Sequence, residues 1–139
     1  MPQDAISDQD IANCFAVIKE LRPHLKQENF VETIRYMEEE GYRLVFIEDN
    51  NEVVSVAGYR ISTCLFKGKN LYIDDLVTAN KARSKGYGER LITHLQEKAV
   101  NEKCHFYCLD SGTHRGEAHK FYFTQGFTIA SYHFSKQLS

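Results

Sequence analysis

The feature that most constrains the fold is a strand, a glycine-containing loop, a helix and a second strand that follow one another in the second half of the chain. Residues 71–77 and 105–109 have the composition of strands, and residues 87–100 place Leu91, Leu95 and Ala99 on one face of a helix. If the two strands share a sheet, the crossover helix forces them to run parallel. The unit therefore predicts an α/β fold.

The residues before this unit predict two helices. Asp8 or Asp10 is expected to cap the first helix, whose end is disturbed by Pro23. Asn29 is expected to cap the second helix, and Gly41 to stop it.

The remaining segments predict strands joined by short turns. Residues 44–47 and 53–66 are rich in β-branched and aromatic residues, and a hairpin turn at residues 67–70 leads into the strand at 71–77. A helix over residues 115–124 and a last strand over 127–134 complete the chain, and residues 3–6 are the one candidate for a strand before the first helix. The expected sheet is mixed and mostly antiparallel, with helices on both faces.

Composition limits the class of protein. The 139 residues fit a single domain spanning residues 1–139. A net charge of −2 argues against non-specific nucleic-acid binding, and no apolar run approaches the ~20 residues of a membrane span. The first ten residues have no signal-peptide pattern. We therefore expect a cytoplasmic protein with free thiols at Cys14, Cys64, Cys104 and Cys108.

The segment Arg83-Ser84-Lys85-Gly86-Tyr87-Gly88, called the Gly loop below, has the features of a pyrophosphate site. Its glycines remove side chains where a ligand approaches the backbone, and the free N–H groups of the following helix favour negative charge. Arg83 and Lys85 add positive charge. The alternative is a tight strand-to-helix turn without a ligand. A dinucleotide-binding fingerprint needs a third glycine where Leu91 stands, and no Gly-Lys-Ser/Thr of a P-loop occurs.

Two motifs resemble the GNAT superfamily of acetyl-CoA-dependent N-acetyltransferases. Arg83-x-x-Gly86-x-Gly88 is similar to the family's (Arg/Gln)-x-x-Gly-x-(Gly/Ala), and Ala118-x-x-Phe121-Tyr122-x-x-x-Gly126-Phe127 is similar to its later Ala-x-x-(Leu/Phe)-Tyr-x-x-x-Gly-Phe. The order of predicted elements is similar from about residue 5 to residue 138. The resemblance implies a sheet splayed between two parallel strands, with acetyl-CoA in the gap.

The resemblance also implies which residues hold the cofactor. The Gly loop would hold the pyrophosphate, and backbone groups around Val77 would hold the pantetheine arm and polarise the thioester. Family members often have Asn at the position of Arg115, so a contact there departs from the family pattern. The implied cofactor-binding residues are Val77, Arg83, Ser84, Lys85, Gly86, Tyr87, Gly88 and Arg115.

Acylation of an amine needs a free nitrogen lone pair and a proton for the departing thiolate. Asp74 and Asp75 precede the Gly loop, and strand alternation would let only one of them face the cleft. Both are candidates for a catalytic or amine-binding role, and Asp75 is preferred because it should share a face with Val77. In the family that the motifs resemble, some amine-modifying members, aminoglycoside acetyltransferases among them, have an acidic residue at the position of Asp75. Tyr122 is the candidate acid. The alternative for Asp74 and Asp75 is that both are carboxylates facing solvent. The alternative for Tyr122 is that it is an aromatic ring of the core.

Other residues offer less. Alternation separates His105 from Cys104 and Cys108 and leaves no fourth ligand, so no metal is expected. The expected function is acetyl transfer from acetyl-CoA to a primary amine of a small molecule or a protein. The alternative is a non-catalytic acyl-CoA sensor or interaction domain on the same fold. The sequence leaves open the acceptor, the acyl chain length and the oligomeric state, including a homodimer.

Overall fold

The computed structural model describes residues 1–139 and contains five strands and four α-helices. In chain order they are β1 (Gln3–Asp4), α1 (Asp8–Leu21), α2 (Phe30–Glu39), β2 (Tyr42–Asp49), β3 (Glu52–Cys64), β4 (Gly68–Thr78), α3 (Tyr87–Asn101), β5 (Phe106–Leu109) and α4 (Gly116–Thr124). Short 3₁₀ turns at Gln27–Asn29 and Asn80–Ala82 precede α2 and the Gly loop. The structure confirms the α/β class and the predicted order of the elements through α4.

The five strands form one sheet in the order β1-β2-β3-β4-β5. All neighbouring strands are antiparallel except β4 and β5, which run parallel as the crossover through α3 requires. Asn70–Ile73 of β4 pair with Phe106–Leu109 of β5, and the pairing then stops although β4 continues to Thr78. The two strands therefore leave a gap beside the last five residues of β4.

A β-bulge lies in β4 where this gap begins. Tyr59 of β3 pairs with Ile73, and the neighbouring Gly58 pairs with Asp75, so Asp74 has no partner on β3. A bulge adds one residue to one strand and changes the direction of the side chains around it. The simple alternation expected for Asp74 and Asp75 is therefore wrong at this point of the strand.

Helices cover both faces of the sheet. On one face, which we call the α1 face, α1 packs against β3 and β4 and also against α2. The opposite α3 face is covered by α3, which buries Leu91, Ile92 and Leu95 against the strands. Tyr107 on the α3 face donates a hydrogen bond from its hydroxyl to the backbone carbonyl of Ile92 (2.8 Å). The core is thus divided between two layers that the sheet separates.

The helix caps differ in detail from the sequence prediction. The cap of α1 is Ser7, whose hydroxyl accepts from the N–H of Asp10, while the Asp10 carboxylate accepts from the N–H of Ser7. This reciprocal pair is a capping box, and it satisfies two N–H groups that a single aspartate cap would not. Asn29 stands at the start of α2, but its side chain makes no capping hydrogen bond.

The strand predicted at residues 127–134 is absent, which is the main correction to the fold. Residues 127–139 have no regular structure, and β5 remains an edge strand. Phe127 packs on the rings of Tyr107 and Tyr122, and His133 pairs with Asp110 just after β5. These contacts hold the segment at two points, and the residues between them form no ladder with β5. A cavity of about 390 Å³ lies along the start of β5, between α3 and the end of α4.

Candidate active site

The Gly loop forms a tight turn that only some residues tolerate. Its backbone has positive φ at Ser84 (66°) and at Gly86 (82°), and Gly86 is the N-cap of α3. A Cβ built on Gly86 would meet no heavy atom of the protein within 4 Å, so the space above it is open. Glycine is therefore needed here for the backbone conformation, and it leaves an empty cradle above the start of α3.

The start of α3 is suited to bind an anion. No side chain caps the helix, so its first N–H groups are left for solvent or a ligand. Arg83 and Lys85 are exposed, and neither forms an ion pair within the chain. Free N–H groups, the positive end of the helix dipole and two unpaired cations together fit a pyrophosphate.

Tyr87 anchors the Gly loop, so its side chain does not face outward. Its ring is buried, and its hydroxyl donates to Oδ2 of Asp49 at the end of β2 (2.7 Å). The pKa of Tyr87 is raised above its usual range, mainly by this hydrogen bond and to a smaller extent by burial. The guanidinium of Arg90 lies over the ring, 5.6 Å from its centre. Tyr87 can therefore touch a cofactor through its backbone only.

The Gly loop lies beside the gap in the sheet. A Cβ on Gly88 would stand 3.6 Å from Cζ of Phe121 in α4 and 3.9 Å from Oγ1 of Thr78 at the end of β4. Val77, the neighbour of Thr78, is buried and accepts a hydrogen bond from the Ser55 hydroxyl at its carbonyl (3.2 Å). Because the last residues of β4 have no β5 partner, their backbone groups on that side can bind an extended ligand.

Asp75 is engaged by two partners on the α1 face. Its Oδ1 accepts from Nε of Arg22 (3.0 Å), and its Oδ2 accepts from the hydroxyl of Tyr42 (2.6 Å). The Tyr42 ring reaches it by passing over Gly58, where a Cβ would lie 1.7 Å from the Tyr42 hydroxyl. The pKa of Tyr42 is raised well above its usual range, mainly by burial and to a smaller extent by the charge of Asp75. Both oxygens of Asp75 are thus occupied by the protein itself.

Asp74 belongs to the same cluster but is less engaged. Its Oδ2 accepts from Nε of Arg60 (3.1 Å), whereas its Oδ1 has no hydrogen-bond partner in the chain. Its side chain is 31% exposed, compared with 14% for Asp75. Burial raises the pKa of Asp74, although Arg60 acts in the opposite direction. The bulge therefore brings both aspartates to one face, contrary to the expectation from alternation, and leaves Asp74 as the accessible one.

Tyr122 lies in α4, next to Phe121, whose ring approaches Gly88 in the Gly loop. Its ring packs edge-on against Phe121 (5.5 Å between centres) and Phe127 (6.0 Å), and its hydroxyl has no hydrogen-bond partner in the chain. Burial raises the pKa of Tyr122, while the charge of Arg115 opposes the shift. Arg115 is exposed at the N-cap of α4. The ring thus packs as a core aromatic would, yet its hydroxyl is unengaged.

Sequence reasoning missed several residues that the fold brings to the site. Arg22, Tyr42 and Arg60 complete the aspartate cluster, although they are distant in sequence from Asp74. Pro23 was a usable signal for Arg22, because a residue before proline leaves the helical conformation and so ends α1.

At the end of β5, Nδ1 of His133 lies 3.2 Å from Oδ2 of Asp110. The next hydroxyl, that of Ser111, is buried without a partner.

The sequence matches a known family along most of its length. Residues 9–127 match the Acetyltransferase (GNAT) family. The chain belongs to the GNAT family of acetyltransferases. It is also 34% identical over 132 residues to a Bacillus subtilis (strain 168) protein named "Uncharacterized N-acetyltransferase YhdJ", a match that covers 94% of this chain and 93% of that protein.

Solved structures show the same GNAT fold. A transcriptional regulator from Bacillus halodurans C-125 superposes with a TM-score of 0.85 at 19% identity, with 99% of each chain covered. A GNAT family acetyltransferase from Staphylococcus aureus subsp. aureus USA300_TCH1516 superposes with a TM-score of 0.83 at 18% identity, covering 99% of this chain and 98% of that one. At these identities the likeness concerns the fold alone.

The GNAT site contains no cluster suited to a metal ion. No group of three or more His, Cys, Asp or Glu side chains is arranged to hold one. None of the helices has the length and apolar character that crossing a membrane would require. The candidate site of this GNAT protein consists of the Gly loop, the gap beside β4, Tyr122 and the aspartate cluster. This cluster comprises Asp74 and Asp75 with their partners Arg22, Tyr42 and Arg60.

Gly86→Val is expected to abolish acetyl-CoA binding while the protein still folds. A branched side chain would fill the open cradle, and it would also strain a backbone at φ 82°, at a cost of roughly 1–2 kcal/mol or more. Gly41→Val is the matched control, because Gly41 has φ 95°, has equally open surroundings and is remote from the Gly loop. Calorimetric titration with acetyl-CoA should show normal binding for the control and none for Gly86→Val. Normal binding by both variants would contradict the assignment of the cradle.

Proposed function

We propose that the protein is an N-acetyltransferase that moves the acetyl group of acetyl-CoA directly to a primary amine of a small molecule or a protein. The observation that carries this proposal is an uncapped, basic helix start directly beside an opening in the sheet. The first feature suits a pyrophosphate and the second suits an extended acyl-pantetheine chain. Family membership adds acetyl transfer as the reaction class.

The donor site follows from these two features. We propose that the backbone of Ser84, Gly86, Tyr87 and Gly88 and the charges of Arg83 and Lys85 hold the pyrophosphate. Backbone groups around Val77 would hold the pantetheine arm in the gap. Arg115 is exposed at the start of α4, and we propose that it adds a further positive charge near the cofactor.

In the proposed reaction the amine nitrogen forms a bond to the acetyl carbon, the carbon–sulfur bond breaks, and the nitrogen loses a proton. We propose that Asp74 serves the amine, because its Oδ1 is the free carboxylate oxygen of the cluster. A carboxylate (pKa about 3.9) is a far weaker base than an alkylamine (pKa about 10.4). Asp74 would therefore hold the acceptor as its ammonium, which loses one proton to solvent before the attack. The neutral amine then attacks, and the second proton that its nitrogen releases reaches the departing thiolate through water.

Asp75 has a different proposed role. Both its oxygens accept hydrogen bonds from Arg22 and Tyr42, so it would fix these two side chains and not bind the amine itself. This reverses the preference for Asp75 that strand alternation favours. The reason is the bulge, which turns the more accessible carboxylate of Asp74 to the same face.

Tyr122 is the proposed partner of the departing sulfur. A phenol with a pKa of about 10 is a weaker acid than a thiol with a pKa of about 8.5, so complete proton transfer to the thiolate is not favourable. Its hydroxyl can still donate a hydrogen bond while charge develops on sulfur. Burial raises the pKa of Tyr122 further and so keeps the hydroxyl protonated.

The proposed location is the cytoplasm. All four cysteines are unpaired, with Cys14 buried, Cys64 exposed and the other two partly buried. Free thiols fit a reducing compartment.

The test of the function is release of coenzyme A in the presence of amines. With saturating acetyl-CoA, at least some members of a panel of small amines and lysine peptides should release the thiol, detected with a thiol reagent. Gly86→Val should be inactive and Gly41→Val active. If acetyl-CoA binds calorimetrically but no amine releases thiol, the acetyltransferase proposal fails and the sensor alternative stands.

Asp74→Asn should lower kcat/KM for the amine more than Asp75→Asn does. Because burial raises the pKa of Asp74, the wild-type profile should lose activity as the pH falls through a value above the ordinary aspartate range. The defect of Asp74→Asn should shrink at high pH, where the amine is uncharged and the Asp74 carboxylate no longer attracts it as an ammonium. Asp75→Asn should instead cost about 1–3 kcal/mol of unfolding free energy through Tyr42 and Arg22. Equal kinetic effects, or a pH-independent Asp74→Asn defect, would contradict these roles.

Tyr122→Phe should reduce kcat while leaving acetyl-CoA affinity nearly unchanged. The hydroxyl acts only when charge builds on sulfur, so its loss removes an interaction specific to the transition state. We expect a decrease of about tenfold to a hundredfold, no larger than the smallest general-acid contributions, because Tyr122 only donates a hydrogen bond and a thiolate leaves readily. Steady-state kinetics, calorimetry and the melting temperature separate the effects. Unchanged kcat would mean that Tyr122 is a packing residue.

A further inference from the structure

Two arginines are held in place beside the proposed amine-binding carboxylate. Arg22, at the end of α1, donates from Nε to Asp75 and from Nη2 to the backbone carbonyl of Asp74 (3.2 Å). That carbonyl belongs to the residue that the bulge leaves without a partner on β3. Arg60 donates from Nε to the Asp74 carboxylate, and its guanidinium lies over the Tyr42 ring, 5.6 Å from the ring centre. Hydrogen bonds to the two aspartates thus fix the orientation of both guanidinium groups.

The opposite side of the Arg22 guanidinium is left available. A guanidinium has five N–H donors, and Arg22 uses only Nε and Nη2, so its Nη1 donates to nothing in the chain. The Arg22 side chain is 41% exposed, whereas its partner Asp75 is 14% exposed. The charges of the pair cancel, but the carboxylate lies inward and the donors lie outward. Towards the solvent the pair therefore presents N–H groups suited to an oxyanion.

Arg60 is less free than Arg22. Its Nη1 lies 4.0 Å from Oε1 of Glu40, which is itself half exposed. This second carboxylate reduces the positive potential at Arg60. Arg22 pairs with Asp75 and with the Asp74 carbonyl, and no further carboxylate pairs with it. Arg22 is therefore the primary oxyanion contact, and Arg60 is an auxiliary one.

We propose that the acceptor of this enzyme carries, besides its amine, an oxyanion such as a carboxylate or a phosphate, and that Arg22 binds this group. The inference rests on the proposed acetyl transfer and specifies its substrate class. Asp74 Oδ1 would receive the ammonium, and the outward N–H groups of Arg22 would receive the oxyanion on the same face. Because Asp75 and the Asp74 carbonyl already orient Arg22, little side-chain entropy is lost when an anion binds. Acceptors with both charges are thus preferred over simple cationic amines.

The experiment compares three matched amines: β-alanine, β-alaninamide and O-phosphoethanolamine. For each, kcat/KM is measured from coenzyme A release and divided by the fraction of unprotonated amine at the pH used. The wild type should prefer at least one oxyanion-bearing amine over the amide by about tenfold or more, the size expected for a charge-assisted hydrogen bond. Whichever of the carboxylate and the phosphate is preferred identifies the source of the oxyanion.

Arg22→Gln should bring this preference close to one, mainly through a higher KM, while acetyl-CoA affinity stays unchanged. Arg22→Lys should restore part of the preference, because it keeps the charge but not the planar fork. Glu40→Gln should increase the preference, because it removes the competing carboxylate beside Arg60. If Arg22→Gln does not fold, Arg60→Gln replaces it, with a smaller expected loss.

The outcomes distinguish a failure of the oxyanion proposal from a failure of the acetyltransferase proposal. If the amide reacts as well as the two anionic amines, the oxyanion proposal is overturned while the acetyltransferase proposal stands. A preference that persists unchanged in Arg22→Gln, with melting temperature and acetyl-CoA affinity intact, also overturns it. If no amine, including those of the wider panel, releases coenzyme A, both proposals fail together.

Discussion

The early end of the pairing between β4 and β5 is the constraint on which the site depends. Parallel strands joined by a helix would ordinarily continue side by side, yet here the ladder stops at Ile73 and Leu109 while β4 runs on to Thr78. Backbone N–H and C=O groups that lack hydrogen-bond partners are unfavourable in a protein. Those at the open edge of β4 must therefore bond to solvent or to a ligand. The gap is therefore a binding feature created by an incomplete sheet, and the Gly loop lies at its end.

The bulge at Asp74 connects this gap to the acceptor side. One extra residue in β4 frees a backbone carbonyl, and Arg22 at the end of α1 takes it. The same residue turns its carboxylate towards Arg60, while Asp75 receives Arg22 and Tyr42. A local irregularity of one strand thus gathers two arginines, two aspartates and a tyrosine that four different elements and their ends supply.

The proposed division of labour follows the two faces of the sheet. The aspartate cluster lies on the α1 face, where an acceptor would approach. Tyr122 packs with Phe127, which also contacts Tyr107 on the α3 face. A thioester lying in the gap would be reached by an amine from one face and by the Tyr122 hydroxyl from the other. In this arrangement one opening can serve both the attacking nitrogen and the leaving sulfur.

The sequence by itself determined the α/β class, the parallel crossover, the position of the Gly loop and the family, because these follow from periodicity and from residues close together in the chain. It did not reveal that residues 127–134 form no strand. Their pattern resembles a strand, but Phe127 packs on Tyr107, His133 pairs with Asp110, and no ladder with β5 forms. Nor could it place Asp74 and Asp75 on one face, because a bulge depends on the register with β3 and not on the residues of β4 alone. Arg22 and Tyr42 reach Asp75 from 53 and 33 residues away in sequence. Only packing of the helices on the sheet could bring those charges together.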